Sequence, residues 1–133
     1  MRDDTYLQSR LNEIWEKYFS DVPQANKVHI KFGRASKYRF GSIRLCYADN
    51  SSHILINGMF KSPVHPKEII DHTIAHELVH YAQGFSSTQP RLHAYPHRGG
   101  VIDKELNDRG LKHLVFVYKI WLEQYKKSLG ILD

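Results

Sequence analysis

The sequence predicts an α+β fold, one small antiparallel sheet of about three strands with helices packed on it. Three observations carry that expectation. Residues 4–19 space their apolar side chains as a helix does, the stretch 28–57 alternates apolar and polar as strands do, and helical spacing returns from Pro66 onward. At 133 residues the chain reads as a single domain, 1–133, built round one core.

The first helix is drawn by Tyr6, Leu7, Leu11, Ile14, Trp15, Tyr18 and Phe19, an apolar stripe that ends before Asp21-Val22-Pro23. Val28 to Phe32 alternates in period two, and Tyr38 to Tyr47 repeats the pattern with Phe40, Ile43, Leu45 and Tyr47, where Gly41 is expected to mark a bulge. The turn cluster Ala48 to Ser52 makes His53 to Asn57 pair back as a hairpin. Pro66 suits the first turn of the next helix, Glu68 its positive end, and Gly84 its stop. Between them Ile70, Ile74, Ala75, Leu78, Val79 and Ala82 form a wide apolar face, so this helix is the expected buried spine. Residues 85–97 read as a loop with two prolines, Val101 to Asn107 as a short helix, and Leu111 to Leu129 as a long one.

Composition excludes several classes. Hydrophobic residues at 41% and charged residues at 25% are ordinary for a globular chain. No apolar run approaches the roughly 20 residues of a bilayer span, so no membrane is expected. The opening MRDDTYLQSR carries early acids and no apolar stretch, unlike a secretory signal. Cys46 is the sole cysteine, which rules out an intrachain disulfide and any zinc ribbon built on cysteine pairs. A reducing, intracellular location is the simplest expectation, cytoplasmic or with the nucleoid or nucleus if DNA is a partner. The net charge of +5 is uneven: residues 26–67 hold Lys27, Lys31, Arg34, Lys37, Arg39, Arg44, Lys61 and Lys67 against Asp49 alone. Such a strip can gather a polyanion, DNA included. It also fits a solvated sheet face with lysines guarding its edges.

Nine histidines are the unusual count, and their placement points to chemistry. The spine helix contains His76-Glu77-Leu78-Val79-His80. Residues four apart share a helix face with Cβ atoms about 6 Å apart, so two imidazoles there can hold one Zn²⁺ at about 2.0–2.1 Å from each nitrogen. Glu77 lies about 100° further round the axis and is free to act as general base instead of ligand. This is the HExxH arrangement of metalloproteases. Random placement of nine histidines and six glutamates gives roughly 0.03 expected occurrences. His72 extends the stripe by one turn and makes His72–His76 a rival pair, but only 76/80 encloses a glutamate after its first histidine. A catalytic zinc needs a third protein ligand, and His93, His97 and Glu105 are all candidates. The metzincin spacing fails, because Gln83 and Ser86 stand where it needs glycine and histidine. For the oxyanion donor, Tyr81, His93, Tyr95 and Arg98 lie near in sequence.

The order of helix, three strands, HELVH helix, proline-containing loop and histidine before another helix resembles the SprT-like family of zincin-type metallopeptidase domains, which includes the Spartan proteases. His76, Glu77, Leu78 and His80 match the family's HE-[LM]-x-H motif, and His97-Arg98-Gly99-Gly100-Val101 is similar to its His-Gly-x-x-Phe segment. The resemblance spans roughly residues 28–110 and implies a zincin-like fold with HExxH on a central helix. It also implies His97 as third ligand of one Zn²⁺, Glu77 as catalytic base, and a protein or peptide substrate associated with DNA, protein–DNA crosslinks among them. Lys27, Lys31, Arg34, Lys37, Arg39 and Arg44 are then the candidate DNA contacts. Two other readings remain: a gluzincin-type hydrolase using Glu105, and a non-catalytic DNA-binding module with a vestigial metal site.

Overall fold

The computed structural model describes residues 1–84 and 100–130. The elements follow in the order α1 (Asp4–Tyr18), β1 (Val28–Phe32), β2 (Gly41–Cys46), β3 (Ser51–Ile56), α2 (Lys67–Ala82), α3 (Val101–Asp108) and α4 (Lys112–Ser128), with one 3₁₀ turn, Gly58–Lys61, before α2. The fold is α+β, and every element that the sequence predicts among these residues is present.

Asp3 caps α1 by accepting a hydrogen bond from the Tyr6 amide at 2.9 Å. Asp4, one residue on, accepts from the Phe32 amide at 2.9 Å and so fastens the helix start to the end of β1. Leu7, Leu11 and Ile14 face the core. A bidentate pair from Arg10 to Asp71, at 2.9 and 3.0 Å, ties α1 to α2.

The sheet corrects one expectation. Its order is β1-β3-β2, with β2 antiparallel to β3 but β1 parallel to it, so the sheet is mixed rather than antiparallel. The β2–β3 hairpin forms as the turn cluster implies. An alternating strand carries no sign of its partner's direction, however, and the eight-residue connection 33–40 takes the chain past β3 to the far edge. The central place goes to β3, whose Ser52, Ile54 and Ile56 are fully buried. Strand β2 also starts later than its alternation suggests. The buried Asn57 amide donates to the carbonyls of Ser36 and Arg39, at 2.6 and 2.8 Å, and shapes 36–39 into a loop. Nor does Gly41 mark a bulge: the register runs unbroken from Gly41↔Ile56 to Cys46↔Ser51.

The α2 helix is the spine. It packs against α1, α3, α4, β2 and β3. Its buried residues go all round the axis: Ile70, Ile74 and Leu78 on one side, and the polar Thr73, Glu77 and His80, together with Ile69, on another. Rows of side chains alternate through the sheet, Ile30, Ile43 and Ile54 toward the helices and His29, Arg44 and His53 away from them.

Candidate metal centre

The polar side of α2 builds the site. One helical turn brings the Nε2 atoms of His76 and His80 to 3.2 Å of each other, with ring centroids 4.9 Å apart. Two nitrogens on a tetrahedral ion at 2.0–2.1 Å stand about 3.3 Å apart. The two imidazoles therefore present the nitrogen separation that a shared zinc requires, and the donor set is the one zinc prefers. His80 is buried and His76 half-buried.

Glu77 is nearly dry at 5% exposure. Burial pushes its carboxyl up to about 8, against the downward pull of the Arg39 guanidinium. It lies under β2 at Gly41. A Cβ built on Gly41 would meet Thr73 Cγ2 at 2.5 Å and Glu77 Oε2 at 3.2 Å, so only glycine lets the strand come this close. Around the carboxylate is a cavity of about 130 Å³, lined by Phe40, Gly41, His72, Thr73, His76, Glu77 and Tyr118. A second cleft of about 160 Å³ adjoins it at Gly41 and is lined in part by Arg34, Arg39, Ser42 and Asn57.

His72 is the companion that the stripe foreshadowed. It is 4% exposed, its ring stacks on Tyr118 with centroids 4.0 Å apart and planes 8° apart, and its Nε2 has no hydrogen-bond partner among the described residues. Burial takes its pKa down to about 4, so the ring is neutral at ordinary pH. Tyr118, Phe40 and Gly41 carried no sequence signal of this role. Tyr118 sits on a helix some forty residues away, and only the packing of α4 on α2 brings it here.

Of the candidate third ligands, Glu105 is engaged elsewhere: its Oε1 accepts from Gln83 Nε2 and its Oε2 from Arg109 Nε, each at 3.1 Å. His93 and His97 lie outside the described residues, as do Tyr95 and Arg98 among the oxyanion candidates. Tyr81 has a different task. Its hydroxyl donates to Asn26 Oδ1 at 2.6 Å and accepts from the Ala25 amide at 3.0 Å, anchoring the end of α2 to the lead-in of β1.

All six basic candidates are exposed. Lys31 and Arg44 stand on the sheet face turned away from α2, Lys27 precedes β1, and Arg34, Lys37 and Arg39 occupy the 33–40 connection. Arg34 and Arg39 thus reach the cleft beside Gly41. No family model, curated protein or solved structure matches the chain. None of the described helices is long and apolar enough to cross a membrane.

Proposed function

We propose that this protein is a zinc-dependent metallopeptidase of the SprT-like, zincin-like type, acting on proteins associated with DNA. The observation that supports it most is the 3.2 Å separation of the His76 and His80 Nε2 atoms beside a buried Glu77. His76 and His80 would hold one Zn²⁺, with His97 as third ligand on the resemblance to that family. The engagement of Glu105 by Gln83 and Arg109 favours a histidine over the gluzincin alternative.

When bound, the ion supplies Lewis acidity toward a peptide carbonyl and acidifies water at the site. The chain's own residues supply the rest. Glu77 stands on the next residue of the helix, in the cavity wall; ionised by the positive charge of an ion bound beside it, its carboxylate would take the proton of the attacking water and return it to the leaving amine. Phe40 and Tyr118 wall the cavity with aromatic surface that limits the water reaching it. The open cleft lined by Arg34 and Arg39 leads a polypeptide, or the phosphate backbone attached to it, toward Gly41. An intracellular setting goes with this substrate class.

The test compares wild type, Glu77→Gln and His76→Ala, measuring hydrolysis of an unfolded protein substrate together with bound zinc. Glu77→Gln should lose about 10²–10⁴-fold in rate and keep its zinc, whereas His76→Ala should lose both the activity and one equivalent of bound zinc. Full activity in Glu77→Gln would overturn the mechanism. A zinc-loaded but inert wild type would favour the DNA-binding module.

A further inference from the structure

We propose a second metal site, on the opposite face of the sheet from α2, in which Cys46, Asp49 and His53 bind a divalent cation of the zinc class. Among the described residues these three form a group whose ligand atoms all lie within 4.8 Å of one another. The hairpin creates it. His53 pairs with Arg44, which places Cys46 diagonally across the ladder on the same outward face, and the 47–50 turn brings Asp49 back over the strand end.

The donor set is chemically selective. A thiolate, a carboxylate and an imidazole together suit zinc and disfavour calcium or magnesium, which prefer all-oxygen shells. The surroundings also hold the donors in place. The Ser51 hydroxyl donates to Asp49 Oδ1 at 2.6 Å and stands 2.9 Å from His53 Nε2, while the His29 ring stacks on His53 with centroids 4.7 Å apart. Ion binding releases the Cys46 thiol proton to solvent and leaves a thiolate. Closing the donors to the spacing of a tetrahedral ion takes about an ångström of side-chain adjustment.

Charge is compatible. Lys27, Lys31 and Arg44 make this face basic, yet a doubly charged ion with one thiolate and one carboxylate forms a neutral centre, only one unit more positive than the metal-free site. The fourth position faces solvent, since Asp49 is exposed, and goes to water.

Cobalt(II) titration of the purified, metal-free full chain tests the site without regard to peptidase activity. Cys46 is the sole cysteine, so a near-ultraviolet thiolate-to-cobalt band can come from nowhere else. We expect that band to saturate at one equivalent in His76→Ala, where the α2 centre no longer competes for cobalt, to be displaced by Zn²⁺, and to vanish in Cys46→Ser. His53→Ala and Asp49→Asn should each weaken cobalt binding by more than about 100-fold, beyond the cost of losing an outer-shell partner. His76→Ala should leave the band intact, which separates this site from the α2 centre. Absence of the band in wild type, or a band indifferent to both His53→Ala and Asp49→Asn, would overturn the assignment.

Discussion

A missing methyl group at position 41 decides how near a strand can lie to a carboxylate. Gly41 needs no left-handed backbone here; what it provides is space. The clashing atom, Thr73 Cγ2, cannot swing aside easily, because the Thr73 hydroxyl donates to the Ile69 carbonyl at 2.7 Å in a buried setting. Overpacking of this kind costs about 1–3 kcal/mol. Gly41→Ala should therefore lower stability by that amount in urea unfolding, with Ser42→Ala as the near-neutral control. Adding Thr73→Ser, which removes the obstructing methyl, should restore part of the loss, a coupling that a double-mutant cycle reads directly. If Gly41→Ala is as stable as wild type, the strand is not pressed against α2. The motif His76-Glu77 was legible at this scale because one helical turn determines the geometry. Gly41 was legible only as an oddity in a strand, since its reason lies on another element.

Between elements, a few polar ties set orientation. Arg109 closes α3 and reaches back to the segment after α1. It donates to both Asp21 oxygens at 2.6 and 3.2 Å and to the Tyr18 carbonyl at 2.9 Å, with its guanidinium 4.3 Å over the Phe19 ring. These hydrogen bonds hold the Asp21 carboxyl below its usual value. The folded-state pKa is thus the lower one, so the pair stabilises above the unfolded value near 3.9 and loses its effect as pH falls through the folded value. Asp21 is largely exposed, which limits the gain to about 0.2–1 kcal/mol. Asp21→Asn should be less stable than wild type at pH 7 by that margin, and equal to it at the acid end of a pH series of denaturation curves. A gap that persists unchanged into strong acid would remove the linkage. Helix and strand existence came through in the sequence, because period and caps are local. The parallel pairing of β1 with β3 did not, because alternation is the same in either direction.

Across the whole molecule, charge and cavity are distributed on different faces. The six candidate DNA contacts cover the outward sheet face and the 33–40 connection, while the His76–Glu77–His80 side of α2 opens beside them at Gly41. If these side chains meet phosphates, duplex affinity should fall linearly with log salt concentration, each contact adding about 0.9 to the slope. Charge reversal at Lys31 and Arg44 together should then flatten that slope by about 2, as read by fluorescence anisotropy. No binding at low salt would set aside the DNA-directed part of the proposed function. By itself, the amino-acid order settled which segments are helices and strands, which helix is buried, and which two imidazoles face one way. All of these follow from backbone periodicities of a few residues. Tertiary packing alone decided the mixed sheet, the cavity walled by Tyr118 and Phe40, the engagement of Glu105 by Gln83, and the meeting of Cys46 with His53. Each joins groups by loop closure and burial, for which a linear pattern holds no signal.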